Sequence, residues 1–305
     1  MNMAKTYLLL VAMIALLTGL GLGLDRVLGT SFLMFVFFGI SMVTTWVSYF
    51  YSDRIVLKMY GAQEVSPSEA PWLHETVERL ARAAGIPKPK VAIIPMDIPN
   101  AFATGRSPDK GVVACTEGIL RLMTREQLEG VIAHEIAHIR NRDTLISTVA
   151  ATIAGLIGLV SHLFMWGGGM RGDGENQPNP LAVIGLFVAA LLAPFAAMLI
   201  QMAISRTREF AADESAAMFT GNPEGLASAL ERLEASVRAG VGDPSAVTSG
   251  TQHMFIVNPL SGGSMMEWFS THPATEKRVA RLRAMSRDLM MGRGAVATGR
   301  AGAFR

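Results

Sequence analysis

The sequence predicts a multi-pass membrane protein of helices and short strands: two transmembrane hairpins, four helices in all, and a zinc-site domain whose halves flank the second hairpin. Three observations predict it. Half of the 305 residues are apolar and only 17% are charged, a balance outside the soluble range. Four uncharged apolar runs occur as two closely spaced pairs. Between the pairs lies Ile132-Ala-His-Glu-Ile-Ala-His-Ile139, two histidines at a four-residue step with a glutamate beside the first.

Composition also excludes classes. A net charge of +2, with basic residues in no continuous patch interleaved with aromatics, argues against nucleic acid. Cys115 is the sole cysteine, so an intrachain disulfide is impossible, which fits a catalytic part in a reducing compartment.

The first hairpin occupies residues 1–52. Residues 7–24 are just long enough, at 1.5 Å per residue, to cross a core of about 30 Å. A signal peptide is the alternative reading. No small-x-small cleavage site follows, however, and a second apolar run, residues 31–51, begins soon after Asp25-Arg26, so a hairpin is favoured.

Residues 53–143 have the composition of a soluble domain. Pro71 opens an amphipathic helix that Gly85 closes, with His74 expected on its solvated side. Residues 91–94 and 111–115 read as short strands. Between them Asn100, Ala101, Phe102, Ala103 and Thr104 form either an ordinary turn or an exposed edge strand able to pair with an extended peptide. Thr124 and Gln127 make a capping box, and Leu128, Val131, Ile132 and Ile136 recur at helical spacing. The motif therefore lies on a helix, with His134 and His138 on one face to bind a single Zn2+ and Glu135 placed to take a proton from a metal-activated water.

The second hairpin, residues 144–205, comprises apolar runs 145–166 and 181–204 around a turn-forming loop at 171–180. Buried helices of a soluble core can look similar, but these lengths without charge favour membrane spans. His162 lies within the third run and Pro194 kinks the fourth. Lys5, Arg54, Lys58, Arg140, Arg142, Arg206 and Arg208 fall on one side, against one arginine per hairpin loop, Arg26 and Arg171. Termini and motif are thus expected in the cytoplasm.

Residues 206–290 return to the soluble domain. Glu209 follows the membrane edge by about five residues and His138 precedes it by about six, so both stand roughly 8 Å above the bilayer core. That shared depth makes Glu209 the leading third ligand, and two histidines with one glutamate leave an open catalytic position. Asp213, one turn on, can hold a ligand's second imidazole nitrogen. The alternative is that Glu209 and Asp213 form a solvated face with Arg206 and Arg208.

His134-Glu-Ile-Ala-His138, a hairpin, then Ser205-Arg-Thr-Arg-Glu-Phe-Ala-Ala-Asp213 closely resembles the HtpX family of membrane-bound zinc metallopeptidases. The likeness runs through Asn100-Ala-Phe-Ala-Thr104 and Thr271-His-Pro-Ala-Thr-Glu-Lys-Arg278 and covers nearly the whole chain. It implies a gluzincin-type α+β catalytic domain holding one Zn2+ through His134, His138 and Glu209, with Glu135 as base. It also implies endopeptidase cleavage of membrane proteins and unfolded polypeptides, as quality control and stress response in the bacterial cytoplasmic (inner) membrane. A CAAX-processing prenyl-protein peptidase shares the motif but resembles a seven-span chamber, against which four spans argue. A scaffold tied together by zinc would leave Glu135 and an open position without purpose.

At the C-terminal end, residues 225–239 form another amphipathic helix, and 241–250 and 261–264 read as loops. His272-Pro273 opens a final helix, with Val279 and Leu282 apolar and Lys277, Arg278, Arg281 and Arg283 basic. By resemblance this segment lies beside the active site. There His272 either donates a hydrogen bond to the oxyanion or simply caps the helix. Residues 291–305, rich in Gly, Ala and Arg, are expected to be a disordered tail.

Overall fold

The computed structural model describes residues 2–145, 147–149, 206–241 and 274–291. Most of the second hairpin, with His162 and Pro194, the loops expected at 241–250 and 261–264 (save Val241), His272 and the tail beyond Met291 lie outside the described residues.

Helices α1 (Asn2–Leu28) and α2 (Leu33–Met59) form an antiparallel hairpin. Asp25 closes it: its carboxylate accepts from the Thr30 hydroxyl at 2.6 Å and from the Leu33 and Met34 N–H groups at 3.0 and 2.9 Å. Those N–H groups open α2 and have no partner within the helix, so Asp25 caps it from outside. A Cβ at Gly21 would stand 2.8 Å from the Phe37 Cβ, so the two helices cross tightly there. Among the described residues no single helix is long and apolar enough to cross a membrane. The two halves of α2, Leu33–Val47 and Tyr49–Met59, meet at a 70° bend and pass that test as a pair.

The sheet consists of β1 (Gln63–Glu64), β2 (Lys90–Ile94), β3 (Ala101–Thr104) and β4 (Val112–Thr116), in the order β1-β2-β4-β3. β2 and β4 run parallel and the other two pairings are antiparallel. Side chains alternate between faces along each strand. Val91, Ala101, Ala103, Val113 and Cys115 face a core shared with α3 (Pro71–Ala84) and α5 (Arg125–Arg140). Ala92, Ile94, Phe102, Val112 and Ala114 face the other way, onto Val56, Leu57 and Tyr60 at the end of α2. Cover on both faces explains why β2 and β4 read as continuous apolar runs rather than alternating ones. It also carries α2 through residue 52, where the sequence alone suggests a domain boundary.

After the short α4 (Glu117–Leu122) and α5, the helical layer is completed by α6 (Arg206–Thr220), α7 (Pro223–Arg238) and α8 (Thr275–Met290). A Cβ at Gly130 would lie 2.6 Å from the Leu226 nitrogen, and one at Gly225 would lie 2.7 Å from the Glu126 carbonyl oxygen. α5 and α7 thus cross almost backbone on backbone, which only glycine allows. His74 departs from expectation. It is buried, with Nε2 2.9 Å from the Val65 carbonyl oxygen, because α3 packs back on the segment leaving β1.

Candidate metal centre

The centre begins with the start of α5. The Thr124 side chain accepts from the Gln127 N–H while Gln127 reaches back to the Thr124 N–H, so the helix starts at a fixed residue. From that start, Val131, Ile132, Ile136 and Ile139 turn into the core, each at most 1% exposed. Burying each such side chain contributes roughly 1.5–3 kcal/mol. His134 and His138 are left one above the other on the face that meets α6, as a four-residue step requires.

Their rings lie 4.7 Å apart, and His134 Nε2 is 3.1 Å from His138 Nε2. Glu209, in the first turn of α6, brings Oε2 to 3.5 Å from His134 Nε2 and Oε1 to 3.5 Å from His138 Nε2. Four ligands around a Zn2+ at about 2.0–2.1 Å stand roughly 3.3–3.4 Å apart; the two ring nitrogens, at 3.1 Å, and each nitrogen with its nearer Glu209 oxygen, at 3.5 Å, are close to that spacing. Borderline-soft nitrogen with one carboxylate is also a donor set that zinc favours. The residues therefore fit the ion.

Carboxylates engage the opposite ring nitrogens. Asp213 Oδ1 is 3.0 Å from His134 Nδ1, and Asp143 Oδ2 is 3.2 Å from His138 Nδ1. Each Nδ1 is held as a donor, which turns each Nε2 toward the shared point. Asp213 is itself gripped by Arg278 of α8, whose Nε and Nη2 lie 2.9 and 2.7 Å from its two oxygens. Arg278 Nη1 also comes within 3.8 Å of Glu209. Asp143 also has Arg208 of α6, at 3.7 Å.

Burial makes these charges matter. His134, Asp213 and Arg278 are at most 3% exposed, and Glu135 and Glu209 only slightly more. Burial and the Arg278 charge both oppose protonation of His134, yet Asp213 and Glu209 outweigh them and hold it at about 9. Burial would raise Asp213, but Arg278 and His134 pull it down to about 2. Glu135 is raised, chiefly by burial, against the lowering effect of the two histidines. Such a lift moves a carboxylate toward the range where it can both take and return a proton near neutrality.

Glu135 also joins the centre to the sheet: its Oε2 accepts a 2.7 Å hydrogen bond from the Ala103 N–H. Residues 101–104 are a strand at the end of the sheet order, though buried rather than exposed as the sequence suggested, and Asn100 precedes it, its backbone bonded to Thr116. The Thr116 N–H donates to the Asn100 carbonyl, so pairs 100/116, 102/114 and 104/112 bond toward β4. The main-chain groups of Ala101 and Ala103 point away from it, over α5.

Asp143 and Arg278 are the residues that sequence reasoning passed over. The signals were present: Asp143 follows His138 by one turn and a half, and Arg278 shares a helix face with Leu282. His272 lies outside the described residues, so its distance from the centre is not part of this geometry.

The model of peptidase family M48 matches residues 67–286, well over half the chain. The chain is 46% identical over 297 residues to a protease HtpX homolog of Sulfurihydrogenibium, spanning 96% of this chain and 99% of that one. It is 49% identical to the protease HtpX homolog of Pyrococcus furiosus over 91% of this chain and 95% of the relative. For the homolog of Desulfatibacillum aliphaticivorans the identity is 50%, over 92% and 89%. Among solved structures, the crystal structure of S. mikatae Ste24p aligns with a TM-score of 0.48 at 19% identity, over 92% of this chain and 65% of that one.

Proposed function

This chain belongs to peptidase family M48 as an HtpX-type zinc metalloprotease, and from that premise we propose an integral-membrane endopeptidase that cuts misfolded or damaged membrane proteins at the cytoplasmic face. The observation that carries the chemistry is the convergence of His134 Nε2, His138 Nε2 and a Glu209 oxygen within 4.8 Å of one another, with the buried carboxylate of Glu135 beside them. The membrane reading is supported by the apolar hairpin α1–α2, by the two further apolar runs of the sequence and by the basic residues that flank all four on one side.

When bound, Zn2+ supplies acidity to a water and polarises the scissile carbonyl. Glu135 takes the water's proton as the oxygen attacks, then delivers it to the departing amine. The Ala103 N–H fixes one Glu135 oxygen and so aims the other. β3 receives the substrate as an added strand: with the Ala103 N–H taken by Glu135, the outward main-chain groups of Ala101 and the Ala103 carbonyl hold an extended peptide whatever its sequence. That mode suits a quality-control enzyme, whose substrates share an unfolded backbone rather than a side-chain motif. His272, three residues before α8 in the sequence, is the candidate donor to the oxyanion. Asp213 and Asp143 keep the two histidines in register, and Arg278 keeps Asp213 ionised.

In this reading the count of residues from the expected membrane edge sets the centre about 8 Å above the bilayer core, within reach of cytosolic loops and juxtamembrane segments. The test is Glu135→Gln in detergent-solubilised full-length protein. Zinc content should stay at one per chain while hydrolysis of an unfolded casein-like polypeptide falls by at least about a hundredfold. Full turnover by a metal-replete variant would remove Glu135 from the reaction, and loss of hydrolysis without loss of zinc in Glu209→Ala would remove Glu209 from the ligand set.

A further inference from the structure

At the bend of α2 the chain carries Trp46, Tyr49, Phe50 and Tyr51 in one cluster. Trp46 stands 5.3 Å from Phe50 and 5.4 Å from Tyr51, Tyr49 packs edge-on to Phe50 at 4.9 Å, and Tyr7 of α1 stacks on Tyr49 at 6.3 Å. Trp46, Phe50 and Tyr51 are nonetheless 54%, 41% and 38% exposed. Two guanidinium groups lie on these rings: Arg54 is 5.6 Å from the centre of Tyr51, and Arg106 is 5.2 Å from that of Phe50. Neither has a carboxylate within ion-pair distance among the described residues. Arg54 belongs to α2 itself, but Arg106 comes from the turn between β3 and β4.

The occupant of this surface follows from what surrounds it. The exposed apolar faces of α1 and α2, with Leu8, Val11, Phe35, Val43 and their neighbours, run from the aromatic cluster toward the Asp25 turn. From Tyr7 to Asp25 the helix rises about 27 Å, close to the thickness of a hydrocarbon core. A cluster of Trp and Tyr at that distance is where amphipathic rings meet headgroups. Cations on such rings, with no carboxylate in ion-pair distance among the described residues, are suited to lipid phosphates. We propose that Arg54 and Arg106 with this aromatic cluster form a docking surface for anionic phospholipid headgroups, and that their engagement steadies β3 at the membrane surface.

The coupling to β3 is short. Arg106 is two residues past Thr104, and Gly105 between them has φ +121°, where a Cβ would meet the Lys110 carbonyl oxygen at 2.3 Å. At its other end β3 is held by Tyr60, at the end of α2, with its ring 5.7 Å from Phe102. Both ends of the edge strand are thus tied to the helix that meets the headgroups.

The inference rests on the membrane-peptidase reading above, and its test separates the two. Full-length protein is reconstituted in phosphatidylcholine bilayers containing a trace of spin-labelled phosphatidylglycerol or spin-labelled phosphatidylcholine, and the motionally restricted fraction is measured for wild type and for Arg54→Gln/Arg106→Gln. Wild type should restrict phosphatidylglycerol several-fold more than phosphatidylcholine at low salt, each arginine contributing up to about fivefold, and the double variant should bring the ratio close to one. Equal selectivity in the two proteins overturns the assignment, as does its suppression by inorganic phosphate at constant ionic strength, which would mark a free-anion site. The steadying of β3 predicts that the double variant raises KM for a polypeptide severalfold in anionic bilayers with kcat intact; a KM indifferent to lipid charge in wild type overturns that part. The spin-label measurement needs no turnover. An inactive preparation that still selects phosphatidylglycerol counts against the peptidase reading alone, and an active one without selectivity counts against the headgroup surface alone.

Discussion

Replacing Arg278 with methionine tests whether the buried charges of the centre are balanced as the geometry implies. Glu135, Glu209 and Asp213 bring three carboxylates into one buried volume. Arg278, 1% exposed, offsets one of them, and a divalent ion offsets the other two. Methionine fills similar volume without the fork, so Asp213 keeps only its His134 contact at 3.0 Å. Removing one partner of a buried pair costs about 3–5 kcal/mol, most of it the penalty of the charge left behind. For a chain of this size that is a fall in Tm of roughly 10 °C. With Asp213 no longer held, orientation of His134 loosens and zinc affinity should weaken by about ten- to a hundredfold. Thermal denaturation in detergent and competition with a chelating dye measure the two effects. The wild-type Asp213 is depressed from the ordinary 3.8 to about 2, so its contribution is complete above about pH 4 and is lost as the pH falls through 2. In the methionine variant that acid limb should begin at higher pH. Adding Asp213→Asn should restore part of the lost stability, since a neutral pair leaves no stranded charge. A single variant that melts within about 2 °C of wild type and binds zinc equally well would refute the charge balance.

Two further outcomes follow from the same geometry. Asp143→Asn weakens the hold on His138 Nδ1 and keeps the volume of the side chain, so zinc affinity should drop by about tenfold with Tm nearly unchanged; a large loss of stability would mean that Asp143 serves the fold instead. Cys115 is fully buried on β4, and burial together with the Glu135 charge pushes its thiol up to about 12. Iodoacetamide at about pH 8 should leave native protein unlabelled and label it fully once denatured, and rapid native labelling would contradict the sheet packing.

The parts of this centre legible in the sequence are those governed by local periodicity. A capping box fixes where α5 starts, and 3.6 residues per turn then fixes that His134 and His138 share a face. Glu209 could be reached because an apolar hairpin, read from the sequence, is expected to return the chain to the level at which it left. The two missed residues have suggestive spacings, but their contacts are decided by features that local periodicity does not fix. Asp143 turns back on His138 through Arg142, whose φ of 59° is a left-handed conformation that propensity does not assign to arginine. Arg278 stands among Lys277, Arg281 and Arg283, which together read as a solvated face; only the packing of α8 against α6 and α7 turns that one cation inward. His74 was misjudged for a similar reason, since its partner is a carbonyl nine residues earlier. The sheet order β1-β2-β4-β3 was equally hidden, because a two-residue strand carries no pattern and β4 inserts between strands that precede it.

Val56, wholly shielded from solvent, belongs at once to the first hairpin and to the body that carries the metal centre. Trimming the chain just before residue 60 to obtain a soluble fragment would therefore strip a wall from the sheet and leave Ile94, Phe102 and Val112 in water, inviting aggregation. For expression work the practical lesson is that the first hairpin should travel with the enzyme, or that a replacement helix must be grafted where α2 now lies.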